Sequence, residues 1–204
     1  MAEARPYHHG DLRRALIDAA RRILEAEGPS ALSLRAVARE AGVSPAAPYH
    51  HFKDKGELLG AVAQEGWEML DEVIAQARAK AKTAADALDE IGVGYVCFAR
   101  DNPALYRVMY DTARENEALP EDMHADKDSA YCKVRDTIVD AGGDANDELD
   151  LELGTIAAWC AAHGVAEMAG FKQFAALKAA CGGEEQFLRA IFKHMGLAPR
   201  PRGG

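Results

Sequence analysis

Apolar residues recur along this chain at three- and four-residue intervals in segment after segment, and no stretch shows the sustained alternation of a strand. The first such segment sets Leu12, Ala15, Leu16, Ala19, Ile23 and Leu24 on one face behind Asp11, a suitable cap, and closes at Gly28-Pro29. Ser33 caps a second segment that turns Leu34, Val37, Ala38 and Ala41 inward. Gly42-Val43 makes a tight turn, and Ser44-Pro45 opens a third, short helix with a capping residue and a first-turn proline. Asp54, followed three residues later by Glu57, has the pattern of a capping box and starts a long helix over residues 56–81.

Further helices are predicted near 84–100, 103–115, 122–141, 148–171 and 184–195. Asn102-Pro103 marks one start, and Gly142-Gly143 and Cys181-Gly182-Gly183 mark breaks. The chain is therefore expected to be all-α, with about nine helices. Residues 1–56 form a three-helix unit with 1–10 as a flexible arm, 57–197 form a larger helical domain, and the Pro- and Gly-rich tail 198–204 frays.

With 204 residues, 49% hydrophobic and 28% charged, the chain has the balance of a globular protein able to bury a core without disulfides or metals. No apolar leader and no run long enough to span a membrane is visible, which predicts a cytoplasmic protein without a membrane partner. The four cysteines (Cys97, Cys132, Cys160, Cys181) lack CxxC pairing, and such a compartment keeps them as reduced thiols. A net charge of −9 argues on its face against nucleic acid, but its distribution reverses the inference. Residues 1–60 carry nine Lys/Arg against eight Asp/Glu, and the remainder fifteen against twenty-five. The acidity thus belongs to the C-terminal part.

The stretch Ser33–Phe52, SLRAVAREAGVSPAAPYHHF, carries the chemistry. Two helices crossing at close range need a small residue in the first, here Ala38. The turn between them needs a residue tolerant of positive φ, here Gly42, and an apolar anchor beneath it, here Val43. This is the design of a helix-turn-helix, whose second helix lies in the major groove. Ser44 opens that helix, and the small Ala46 and Ala47 let its backbone approach DNA closely. Tyr49, His50, Lys53 and Lys55 suit phosphate contacts, as do Ser33 and Arg35. The expected DNA-facing set is thus Ser33, Arg35, Ser44, Ala46, Ala47, Tyr49, His50, Lys53 and Lys55. His50-His51 has no third ligand nearby in sequence, and no metal site or cofactor is assigned.

From Asp11 to Val62 the chain resembles the N-terminal domain of TetR-family repressors. The likeness rests on ALSLRAVAREAGVSPAAPYHHFKDKGELLGAV, with its AREAGVS turn, Tyr-x-His-Phe ending and Asp-Lys-x-Glu-Leu-Leu exit. The resemblance implies phosphate contacts from Ser33, Tyr49 and Lys55, with Ala46, Ala47 and His50 toward the groove. It implies a homodimer on a palindromic double-stranded DNA operator, released by a small-molecule effector of unknown identity. Pro48 departs from the family, which usually has an aliphatic residue there. Lying near the helix N-terminus, it should remove one backbone bond and shift the approach angle without breaking the helix. The lead-in Tyr7-His8-His9-Gly10-Asp11-Leu12 is similar to one in a subgroup of the family. There Arg5 with His8 or His9 could serve as a minor-groove arm or be a tail leading into a cap.

The C-terminal half resembles the TetR-like domain with a Trp…His-Gly signature, here Trp159 to Gly164, preceded by Asn102-Pro103-Ala104-Leu105-Tyr106. The helix near 155–171 is rich in small residues, and the last carries Phe187, Leu188, Ile191, Phe192 and Met195. These faces fit a four-helix bundle with a second subunit, or alternatively the closing of one subunit's own core. Candidate pocket residues are Trp67, Tyr95, Phe98, Tyr106, Met109, Tyr110, Trp159 and His163. His163, one turn from Trp159, is placed either to orient a ligand or to be satisfied in the core. Ligand binding would act by population shift, for which a coupling of about 1–3 kcal/mol suffices.

Two other function classes remain to be weighed. Cys160 and His163 lie three apart on one helix, but no group is spaced to orient His163 and no oxyanion or phosphate loop is apparent, so no catalytic residue is assigned. A DNA-binding protein without a ligand, or one switched by oxidation of Cys97, Cys132 or Cys160, is the alternative within the DNA-binding class.

Overall fold

The computed structural model describes residues 9–115 and 126–199. Among them every regular element is helical. The elements are α1 (His9–Glu27), α2 (Leu34–Glu40), a 3-10 turn (Ala47–His50), α3 (Lys55–Lys80), α4 (Ala84–Asp101), α5 (Pro103–Glu115), α6 (Ala130–Asp140), α7 (Glu148–Ala169), a 3-10 turn (Lys172–Phe174), α8 (Ala175–Ala180) and α9 (Glu184–Met195). No described helix is long and apolar enough to cross a membrane.

Among the described residues the expected number of α-helices is met, but by a different set. The third helix of the sequence pattern is a 3-10 turn, and α8, six residues too short to show a period, was not anticipated. α1 starts two residues before Asp11, which therefore lies inside its first turn, where an acidic residue is also favoured. The helix expected over 122–141 is observed from Ala130, because the Ser129 side chain accepts from the Cys132 N–H and caps it there. Residues 122–125 of that expectation, Arg5 and His8 of the arm, and 200–204 of the tail lie outside the described residues.

The chain divides into two compact units, and the division falls within α3. The first comprises residues 1–66 and 102–117, so it takes in α5 as well as the segment expected to stand alone as 1–56. Its core joins Leu16, Ala19 and Ala20 of α1, Val37 and Ala38 of α2, and Phe52, Leu58 and Val62, all nearly inaccessible. α1 packs on α2 and on α5, which adds Leu105 and Met109. Met109 sits so close to Gly66 that a Cβ there would lie 2.6 Å from its sulfur.

The second unit (67–101 and 118–204) is built on α4, which packs against α6, α7 and α9. Such a helix must be apolar on most of its circumference, and Leu88, Ile91, Val93, Tyr95, Val96 and Phe98 are all buried. Phe187, Leu188 and Phe192 of α9 are buried as well, so most of that helix's wide apolar face closes its own unit. Phe192 lies flat over Gly92, where a Cβ would meet its ring at 2.6 Å. Since Phe192 is fully buried it cannot step aside. Gly92→Ala should therefore lower unfolding free energy by about 1–3 kcal/mol in urea titration, the usual cost of overpacking.

Candidate functional site

The putting-together of the N-terminal site starts with how α2 begins and ends. Ser33, in extended conformation, accepts the Ala36 N–H on its hydroxyl at 3.1 Å and so starts the helix. At the other end Gly42 takes φ +70°, the Val43 N–H returns to the Ala38 carbonyl at 2.9 Å and the Gly42 N–H to Arg39 at 3.2 Å. This is a Schellman ending, which reverses the chain within two residues. Ala38 is almost completely buried at the crossing and Val43 is half-buried beneath the turn.

The recognition segment that follows is not an α-helix. The Ala47 N–H bonds to Ser44 at 3.0 Å, Tyr49 to Ala46 at 3.2 Å, and His51 to Pro48 at 2.9 Å, all one residue tighter than α-helical spacing. Pro48 is the physical reason. It has no N–H to give the Ser44 carbonyl, and its ring would crowd that carbonyl in an α-helix, so the segment winds as 3-10. The expectation of an α-helix merely tilted by Pro48 is corrected accordingly. Pro48 itself is buried, taking the core-facing position of the segment.

The tighter winding leaves Ser44, Ala46, Tyr49 and His50 exposed and Ala47 half-exposed, with 55% of Tyr49 accessible. Arg35 and Lys53 are exposed and have no acidic partner among the described residues. Arg39, one turn after Arg35 and equally unpaired, was missed in the sequence, although its spacing of four puts it on the same face. Ser33 is exposed despite its capping role. Lys55 differs from the rest. Its ammonium donates to the Pro29 carbonyl at 2.8 Å, tying α3 to the loop before α2 with two donors left over.

The segment is held from both sides. Beyond it, the Glu57 N–H donates to Asp54 at 2.9 Å and the Lys53 N–H to the Glu57 carboxylate at 2.7 Å, so the two side chains cap α3 reciprocally. Arg13 of α1 lies 5.5 Å over the ring of buried Phe52. Also missed in the sequence was Glu65, 8% exposed, which meets Arg14 at 2.5 Å and Arg21 at 3.3 Å. Its place seven residues after Leu58, on the buried face of α3, was the available signal.

The pocket candidates fall into two groups. Tyr106, Met109 and Tyr110 belong to the first unit, where Met109 is core and the two tyrosine rings lie 5.0 Å apart. Trp67, Tyr95, Phe98, Trp159 and His163 belong to the second. There Trp159 stands 6.3 Å from Trp67 and edge-on to Tyr95 at 5.7 Å, and the Tyr95 hydroxyl lies 3.2 Å from His163 Nδ1. Phe98 is buried in α4. Tyr95 and Trp159 line a small cleft of about 20 Å³, together with Ile74, Leu88, Ile91 and Val134. Nearby, the Tyr131 hydroxyl donates to Glu152, which Arg135 also holds at 3.3 Å. Burial together with that carboxylate drives the phenol far above its ordinary pKa, so it stays a donor. Burial pushes the Cys97 thiol up, away from thiolate chemistry, and Cys132 is buried.

Comparison with known proteins adds the following. Residues 16–62 match the family model described as bacterial regulatory proteins, tetR family, and residues 88–191 match the tetracyclin repressor-like C-terminal domain. Among solved structures, a protein of unknown function from Rhodococcus sp. RHA1 is 29% identical with a TM-score of 0.73, over 95% of this chain and 97% of that one. A tetR-family bacterial regulatory protein from Rhodococcus RHA1 is 23% identical with a TM-score of 0.66, over 91% and 95%. The fatty acid degradation regulator FadR from Bacillus halodurans shares the fold at 14% identity, with a TM-score of 0.60 over 94% and 97%.

The turn that presents the site depends on one left-handed residue. Gly42→Ala leaves room for the methyl group but forces its φ of +70° on an L side chain. A loss of about 1–2 kcal/mol is expected in chemical denaturation.

Proposed function

The chain belongs to the TetR family of bacterial regulatory proteins, and from that premise we propose that it is a repressor. It occupies a palindromic operator as a homodimer and leaves when a small molecule enters its C-terminal unit. The observation that carries this reading is the exposed 3-10 turn after Gly42, flanked by cations without acidic partners. Ala46, Ala47 and His50 face the groove, the small side chains allowing close backbone approach. Tyr49 and Ser33 donate hydroxyls to phosphate, and Arg35, Lys53, Lys55 and, in addition, Arg39 supply charge. Ser44 stands at the start of the turn, where its exposed hydroxyl reaches the backbone or a base edge.

Support for the homodimer comes from α7. Leu149, Leu153 and Ile156 are exposed on it, Leu149 at 70%, and Cys160, Gly164 and Met168 continue the same outward stripe. An apolar strip of this length on one helix calls for a covering surface, and a second copy supplies a matching one by two-fold symmetry. From α9 only Met195 adds a large exposed apolar side chain, so α7 dominates the contact. Support for the effector comes from the cluster of Trp67, Tyr95 and Trp159 with the Tyr95–His163 pair, of which Tyr95 and Trp159 line the small apolar cleft.

Selection of preferred sites from random duplex DNA tests the operator reading. The intact protein should enrich a palindrome, and Tyr49→Ala should weaken binding to it about tenfold or more, as for a lost hydrogen bond to a charged group. Arg35→Ala should lower the salt slope of binding by about one. No enrichment, with Tyr49→Ala indistinguishable from the parent, would refute sequence reading. Ile156→Glu should shift the protein to monomer in sedimentation while leaving its helical circular dichroism intact; an unchanged sedimentation coefficient would place the dimer contact elsewhere.

A further inference from the structure

We propose that Glu65 is a positioning residue for DNA binding: clamped between Arg14 and Arg21, it fixes α3 along α1 and thereby the presentation of the turn after Gly42. This rests on the DNA-binding reading above and adds to it a residue that acts without touching DNA.

Arg14 and Arg21 stand seven residues apart on α1, two turns along one face, or about 10 Å by helix rise. Both guanidiniums converge on one oxygen of Glu65 in α3, Arg14 Nη2 at 2.5 Å and Arg21 Nη1 at 3.3 Å from Oε1. A carboxylate seated between two such donors resists displacement toward either end of α1, because a slide that shortens one bond stretches the other. Apolar contacts have no such direction. At the same level of α3, Gly66 closely meets Met109 of α5, so packing holds the helix there as well.

The clamp is poorly suited to stabilising the fold. Glu65 is 8% exposed, yet its Oε2 and the Nε of Arg21 are buried without a hydrogen-bond partner among the described residues. A buried ionic group left half-satisfied is worse for stability than apolar side chains of the same volume. Charge nonetheless balances locally, since Arg14 Nε also reaches Asp18 at 3.3 Å, which sets two cations against two anions. A cluster that costs stability and constrains direction fits a role in geometry.

That geometry bears on the recognition segment through α3. The helix starts at Lys55, three residues after Phe52. Its first turn is tied to the exit of the segment by the Lys53–Glu57 bond, and to the loop before α2 by the Lys55–Pro29 bond. Glu65 adds a second hold ten residues further on, about 15 Å along the helix. α3 leaves the first unit immediately afterwards, at Gly66. Two separated holds fix the direction of a rod that one hold would leave free to swing.

The test is the charge-neutral double variant Glu65→Met/Arg21→Met in the full-length protein, which leaves Arg14 to Asp18 and roughly conserves side-chain volume. Binding is measured at a temperature where circular dichroism shows parent and variant folded. Affinity for the palindrome selected by the parent should fall about tenfold. Affinity for random duplex of the same length, which rests on phosphate charge, should stay unchanged. Loss of folded protein would lower both affinities together, so their ratio reads positioning. Glu65→Gln keeps the shape and weakens both ion pairs; it should lower the ratio about threefold and serves if the double variant does not fold. The proposal is overturned if a folded variant keeps the parent's ratio, or if the two affinities fall in step. Tyr49→Ala on the same palindrome separates the two readings. Glu65 variants that bind like the parent while Tyr49→Ala binds weakly remove the positioning role and leave the DNA reading. A parent that selects no palindrome removes both.

Discussion

Both units depend on helices approaching more closely than ordinary side chains allow. In the first, Gly66 gives its space to Met109. In the second, Gly92 lies under the ring of Phe192 and Gly94 under Val73. A close-packed interior transmits such contacts rigidly, because a fully buried ring has nowhere to move. α4 packs against α6, α7 and α9, and a small cleft remains beside it where Ala158 and Ala162 of α7 present small side chains. The same economy of side-chain volume, Ala38 at the crossing of α2 with the segment after the turn, governs the N-terminal site.

The two units set an exposed polar turn against an apolar interior. The turn after Gly42 has its backbone needs met locally, by Ser33, by the Gly42 turn and by the Asp54–Glu57 caps, which leaves Tyr49, His50, Arg35 and Lys53 exposed. The cleft of the second unit is built in the opposite sense. Apolar side chains and Tyr95 line it, and no Asp, Glu, Lys or Arg does. Glu65 is the exception, a buried carboxylate tied to two arginines of α1.

Much of this was legible along the chain. Helical period, Ser33, Gly42 and the Asp54–Glu57 spacing announced the elements and the turn, because caps and left-handed glycines act on neighbours within four residues. The exposed residues of the turn, Ser44, Ala46, Tyr49 and His50, could be named because they follow it in a set order. Less legible were features that depend on competition between local signals. Ser44-Pro45 promised an α-helix, but Pro48 withholds the one N–H that helix would need, so the segment tightens to 3-10. The apolar width of α9 could have served either a partner or its own core, and only packing against Gly92 assigns Phe192 inward.

What the sequence determined by itself is therefore the all-helical class, the helix-turn-helix and the family, since each rests on short-range pattern. Tertiary structure alone decided which members of the aromatic set meet one another. Trp67, Tyr95, Trp159 and His163 come from three helices far apart in the chain, whereas Tyr106, Met109 and Tyr110, equally aromatic or soft in sequence, belong to the other unit. Period shows which way a side chain faces on its helix, but not which helix it will meet. That is set by how the apolar faces of all the helices are buried together.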